Sequence, residues 1–202
     1  MLPKDFPRCP WICYHGAEVW DGDALLAEDH IKPESAQEII TCIQNVSPEA
    51  HIYVESYGRL ITNKPIDGPT IHTVSDIQTM GEISAAKILF ELSEIENINE
   101  IIEHLPTSCK LVKYTNSRFS EIVSESASKV KSLTMLLANL ELSFQDVIAF
   151  GDDLPDAEML ALAGIGVAMG NATQEVKAVA DRVTLSNDDD GIAVILEEQG
   201  FA

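Results

Sequence analysis

The 202-residue chain is 46% hydrophobic and 23% charged, a globular balance with enough length for one large domain or two small ones. Its 33 acids against 13 Lys and Arg give a formal net charge of -20, which argues against nucleic-acid partners, because binding a phosphate backbone needs a basic face. No apolar run is long enough to cross a bilayer, and the opening MLPKDFPRCPWICYHG lacks the long apolar stretch of a signal peptide, so a cytoplasmic setting without a membrane partner is expected.

In chain order, residues 10 to 28 read as a strand and hairpin, rich in aromatic and β-branched residues, with Asp21-Gly22-Asp23 as turn chemistry. Residues 33 to 46 read as a helix that starts at Pro33 and gathers Ala36, Ile39, Ile40 and Ile43 on one face. HIYVESYGRLIT reads as a strand pair turning at Gly58. A Pro/Gly-rich loop follows from Lys64 to Ser75. AAKILFEL reads as a strand, ENINEIIEHL as a helix and CKLVKYTN as a strand, so the middle of the chain suits a small α+β layer.

The last third changes character. SKVKSLTMLLANL reads as a helix with Val130, Leu133, Leu136, Leu137 and Leu140 on one face. VIAF is a short, fully apolar strand, and PDAEMLALAG a helix ended by Gly164. GIGVAM is a strand, NATQEVKAVA a helix whose Asn171 and Gln174 resemble a capping box, RVTLS a strand and DGIAVILEEQG a last helix. Helices alternating with continuously apolar strands indicate a parallel sheet covered on both faces.

The cysteines Cys9, Cys13, Cys42 and Cys109 form no CxxC pair and suggest no disulfide framework, so reduced thiols are expected. Cys9, Cys13 and His15 lie on one expected strand and lack a second ligand cluster, which favours core packing over zinc.

VIAF runs into GDDLPDAEML, which sets Asp152, Asp153 and Asp156 at the carboxyl end of a strand, where ligands of open α/β sheets collect. Asp153 and Asp156 can simply cap the following helix, gaining about 0.3–1 kcal/mol from its dipole. Asp152 also suits Mg2+, which is usually held by one or two carboxylates plus waters and a substrate phosphate.

GDDLPDAEML together with GIGVAMGNATQEVKAVADRVTLSNDDDGIAVIL resembles the fourth motif and C-terminal end of haloacid dehalogenase-like (HAD) phosphatases, and most closely the Cof-type subgroup with a type IIB cap. WICYHGAEVW resembles the NGA-type strand that precedes the cap. EIVSESASKVKSL resembles the stretch ending in the third-motif lysine, at Lys129. The resemblance implies an α/β fold: a parallel-sheet, Rossmann-like HAD core from residues 1–27 and 121–202, incomplete at the N-terminus, with an inserted α+β cap at 28–120. It implies Asp152 and Asp156 as Mg2+ ligands and Lys129 as the counter-charge to phosphate and nucleophile. The cap residues Glu55, Tyr57 and Arg59 are candidate contacts for a small phosphorylated metabolite, expected to be a sugar phosphate.

The family works through an aspartyl-phosphate formed on a first motif, DxDGT, and a second motif supplies Ser or Thr; neither occurs in these residues. A partial match, WDGDAL with Asp21 and Asp23, reads as a turn. Pro155, Val130 and His15 stand where the family usually has Asn, Gly and Asn. The chain therefore reads as a Mg2+-dependent phosphatase lacking its nucleophile segment and inactive alone. A separate N-terminal segment or a strand-swapped dimer would be expected to fill the seam beside VIAF. The alternative is a stand-alone, non-catalytic HAD-like protein that binds a ligand or partner.

Overall fold

The computed structural model describes residues 9–80, 82–112, 114–115 and 117–201; the first eight residues, on which the reading of the leader rests, lie outside them. The chain divides into two compact units. One comprises Met1–Val112 and Ser117–Ser128, the other Lys113–Asn116 and Lys129–Ala202.

The first unit opens with a three-stranded antiparallel sheet of β1 (Pro10–Cys13), β2 (Glu18–Asp21) and β3 (Ala24–Glu28). Gly22-Asp23 forms the β2–β3 loop, with Gly22 at φ 59°, so WDGDAL is a turn. The β1–β2 connection passes through Tyr14, His15 and Gly16 at φ 52°, 58° and 90°, a run of left-handed backbone that favours glycine. Residues 9–27 were expected to share a parallel sheet with the C-terminal third. The hairpin expected over residues 10 to 28 forms, with Ile12 antiparallel to Val19, but the segment belongs to the first unit.

α1 (Pro33–Val46) follows, then β4 (Ile52–Ser56), β5 (Arg59–Thr62), β6 (Thr73–Val74), α2 (Ile77–Met80), β7 (Lys87–Glu91), α3 (Ile98–Glu103), β8 (Cys109–Val112) and β9 (Phe119–Ser124). The strands form one sheet in the order β6-β5-β4-β7-β9-β8. Apart from the parallel β5–β6 pair, every pairing in it is antiparallel. Alternation along each strand turns Ile52, Val54, Ile88, Phe90 and Ile122 to one face, where they meet Ile39, Ile40 and Ile43 of α1 and Ile101 of α3. Each such side chain contributes about 1.5–3 kcal/mol of transfer free energy when fully buried. The β4–β5 loop is Tyr57-Gly58, at φ 49° and 70°, the handedness that a two-residue hairpin loop requires.

β9 carries the sheet past residue 120, so residues 121–124, expected in the core unit, pair here with β7 and β8. This strand is buried along nearly its whole length and shows no apolar/polar alternation, which is why its pattern was not legible. The expected strand at 109–116 stops at Val112; Lys113 and Asn116 lie outside the described residues.

The second unit contains α4 (Lys129–Asn139), β10 (Ile148–Gly151), α5 (Ala157–Leu162), β11 (Ile165–Ala168), α6 (Gln174–Val179), β12 (Arg182–Val183) and α7 (Gly191–Glu198). β10, β11 and β12 pair in parallel, with β10 at an edge. Ala149, Leu160, Ala168 and Val176 form its core, as an α/β layer requires. Of the apolar face expected on α4, only Leu137 is buried, and Leu140 lies past the helix end at 53% exposure. α6 is capped by Thr173, whose Oγ1 accepts from Val176 N at 3.3 Å, and not by Asn171. Among the described residues no helix is long and apolar enough to cross a membrane.

The contrast between the two apolar faces is testable. Ile40→Ala should destabilise the protein by about 2–5 kcal/mol, and Leu140→Ala should stay within about 0.5 kcal/mol, both measured by urea denaturation. Comparable losses from the two would mean that Leu140 is covered in solution.

Candidate functional site

The site forms where β10 ends. Gly151 is buried, and a Cβ there would stand 2.4 Å from Asp156 Cβ. Only glycine lets the following turn fold back against the strand. Asp153 starts that turn as its cap, with Oδ1 accepting from Leu154 N at 2.8 Å. Pro155 in the first turn removes a donor that would have no intrahelical partner.

Asp156 is 8% exposed and uses both of its carboxylate oxygens. Oδ1 accepts from Lys129 Nζ at 2.5 Å. Oδ2 accepts from the backbone N–H groups of Asp152 and Asp153 at 3.2 and 3.4 Å. Lys129 is the first residue of α4, and its side chain remains one-third exposed. Asp153 is held by Thr115, whose N–H donates to Oδ2 and whose hydroxyl donates to Oδ1, each at 3.0 Å.

Asp152 differs from its neighbours because it is exposed. Its carbonyl accepts from Thr173 N at 3.2 Å and its Oδ2 from Asn171 Nδ2 at 3.0 Å. Asn171 Oδ1 in turn accepts from Asn187 N at 3.1 Å. Among the described residues Asp152 Oδ1 carries no hydrogen bond, and no group of three or more His, Cys, Asp or Glu is placed to hold a metal ion. The exposed Asp152 carboxylate keeps one oxygen available, the hard donor type that Mg2+ accepts from a protein. Three carboxylates face one lysine over this turn, which leaves the local field negative.

The structure pairs Lys129 with Asp156, and Asp156 accepts from the backbone N–H of Asp152. It adds Thr115 and Asn171, which the sequence reading missed. Asn171 had been read as a helix cap, and Thr115 lies 38 residues from the aspartate it holds, too far for any local pattern to show.

The three candidate cap residues are not brought together. Glu55 pairs across the sheet with Leu60, and Arg59 with Ser56, so Glu55 and Arg59 lie on opposite faces. Glu55 is 3.5 Å from Lys87 Nζ. Tyr57 sits in the hairpin loop, where its hydroxyl donates to Glu28 Oε2 at 2.7 Å. Arg59 is exposed.

The chain resembles known proteins over most of its length. A family model described as haloacid dehalogenase-like hydrolase matches residues 4–196. A putative phosphatase of Haemophilus influenzae is 36% identical over 147 residues, 71% of this chain and 52% of that protein. The stress response protein YhaX of Bacillus subtilis is 34% identical over 148 residues, 72% of this chain and 45% of its own. The chain therefore spans about half the length of these curated relatives. Among solved structures, a sugar phosphatase of HAD subclass IIB superimposes with a TM-score of 0.80 at 20% identity, covering 96% of this chain and 76% of that one, which establishes likeness of fold. A protein of Thermotoga maritima gives a TM-score of 0.75 at 27% identity, with coverage of 94% and 75%.

The close approach at Gly151 yields a stability test. Gly151→Ala should cost about 1–3 kcal/mol in urea denaturation, the range for forcing a methyl group into a filled site. In an Asp156→Gly background, where the opposing Cβ is gone, the same substitution should cost much less. Equal costs in both backgrounds would place the strain elsewhere.

Proposed function

The chain belongs to the haloacid dehalogenase-like hydrolase family, and on that premise we propose that it supplies the phosphate-holding and metal-holding part of a Mg2+-dependent phosphomonoester hydrolase. The observation that carries the reading is the Lys129–Asp156 pair at 2.5 Å beside the exposed Asp152. Lys129 is the cation that would meet the phosphoryl oxygens as charge builds on them. Asp156 positions that ammonium and also collects the amides of the turn, so its role is orientation more than direct ligation. Asp152 would hold the Mg2+, which supplies further neutralisation of phosphoryl charge.

An aspartyl-phosphate route needs a carboxylate in line with the leaving oxygen and an acid to protonate that oxygen. Asp152 and Asp156 are committed to metal and lysine, and DxDGT is absent from these 202 residues. In this reading the nucleophile comes from a segment outside them, and the 202 residues alone turn over little substrate. The phosphatase names of the relatives support the reaction class, and the subclass IIB sugar phosphatase supports a small sugar phosphate as substrate. Glu55, Tyr57 and Arg59 remain the proposed contacts for the leaving group; because Glu55 and Arg59 lie on opposite faces, a single substrate would engage only one of them. A second reading is a non-catalytic ligand-binding protein, and one experiment separates the two.

Supplying a segment that carries DxDGT, in cis or as a separate chain, should produce Mg2+-dependent hydrolysis of p-nitrophenyl phosphate. That activity should fall by roughly 100-fold or more in Lys129→Ala, and calorimetry should show weaker Mg2+ binding in Asp152→Asn. A reconstituted protein that remains inert would support the non-catalytic reading. Activity of the 202 residues alone that disappears in Asp21→Asn or Asp23→Asn would mean that the nucleophile sits in the β2–β3 turn.

A further inference from the structure

The hairpin of the first unit has two unlike faces. In the β1–β2 register Trp11 lies opposite Trp20 and Cys13 opposite Glu18. Alternation therefore turns these four side chains to one side, and the buried Val19, with its partner Ile12, to the other. The four line a cavity of about 390 Å3, which Tyr14 and Tyr57 also border, with Asp23 at the β2–β3 turn. That volume is in the range of small-molecule sites. Trp11 and Tyr57 are 38% and 42% exposed, so the cavity opens to solvent.

Beneath the rings lies a carboxylate. Glu18 is fully buried, with Oε2 accepting from Trp20 Nε1 at 2.7 Å and Oε1 accepting from Tyr57 N at 2.8 Å. His30 Nε2 is 2.9 Å from Oε1. Most charged groups around the cavity wall are acidic, the exceptions being Lys87 beside Tyr14 and, when protonated, His30 beside Glu18. Asp23 borders the opening, Glu28 accepts from the Tyr57 hydroxyl, and Glu55 acts on Tyr14. Lys87 is already engaged by Glu121 at 2.9 Å and Glu55 at 3.5 Å.

Two groups on the wall register this field. Burial pushes the Cys13 thiol up, and Glu18 and Glu55 push it further. The Tyr14 phenol is raised strongly, first by burial and then by the same two carboxylates. Tyr14 also shows the recognition chemistry at work within the molecule, since Lys87 Nζ stands 5.7 Å from the centre of its ring.

Aromatic faces around a space of negative potential attract cations, and attract best those with a weakly hydrated, alkylated charge. We propose that this cavity is a binding site for a small organic cation bearing an alkylammonium group, held between Trp11, Trp20 and Tyr57 over Glu18. Inorganic cations fit less well, because the one buried carboxylate has its oxygens occupied by three neighbours and much of the wall is aromatic.

Trp11 and Trp20 are the two tryptophans of the chain, so selectively excited tryptophan fluorescence of the full chain reports on this cavity. Choline should produce a saturable change in emission. Its uncharged isostere 3,3-dimethylbutan-1-ol should need at least roughly tenfold higher concentration for the same change. Glu18 is too deeply buried for a safe substitution, so the variants are placed at the surface. Trp11→Leu, read through Trp20, should weaken choline binding roughly tenfold, and Asp23→Asn should weaken it a few-fold, with circular dichroism confirming that both remain folded. Absence of a saturable response to choline, an equal response to the neutral alcohol, or binding unchanged in folded Trp11→Leu would each overturn the proposal.

Discussion

The second unit depends on one carboxylate. Asp156 draws Lys129 to one oxygen and two consecutive backbone amides to the other, and so ties the start of α4 to the end of β10. This needs a bare Cα at Gly151, since any side chain there would occupy the space that Asp156 fills. A buried carboxylate is tolerable only when its hydrogen-bonding capacity is met, and here it is met entirely by groups of the site. The turn that presents Asp152 to solvent is therefore held from behind, by charge and by backbone, and not by packing.

Much of this was legible because it is local. The spacing of Gly151, Asp152, Asp153 and Asp156 places a turn, its caps and an outward carboxylate within a few residues, and the apolar strand before them fixes its direction. Lys129 was found from its resemblance to a family lysine, since nothing in the composition near it marks it as more than a helix residue. Thr115 could not be found at all: it lies 38 residues before Asp153, beyond the reach of any local pattern. The boundary near 120 failed for a related reason. Glu121 interrupts an apolar run and looks like surface, yet it is 7% exposed and balanced by Lys87 and His15. Charge compensated across a sheet leaves no periodic trace along one strand. Ala36, Ile39, Ile40 and Ile43 of α1, by contrast, carry their burial in their own spacing and fold as read.

The two units handle their excess acid differently. In the second, three carboxylates crowd one turn and are organised by amides, hydroxyls and a single lysine. In the first, several acids of the two sheets meet separate partners: Glu121 with Lys87 and His15, Glu55 with the same Lys87, and Glu28 with the Tyr57 hydroxyl. Ion pairs that remain partly exposed contribute at most about 1 kcal/mol each. Their effect is chiefly to fix which face of the sheet stays polar, while the apolar face against α1 and α3 provides the stability.

Glu18 carries a consequence for the order of assembly. Its three partners lie 2, 12 and 39 residues away. The Trp20 contact can form as soon as the hairpin closes. The Tyr57 contact must wait until β4 and β5 have turned back, because closing longer loops costs more chain entropy. Until then the carboxylate is only partly satisfied and is better left in water. Its burial therefore belongs to the late, native side of the folding barrier. Interactions absent from the transition state govern how fast a protein unfolds more than how fast it folds. The buried acid thus acts as a kinetic latch on the first unit: loosening it would shorten the lifetime of the folded state while leaving the speed of folding nearly unchanged.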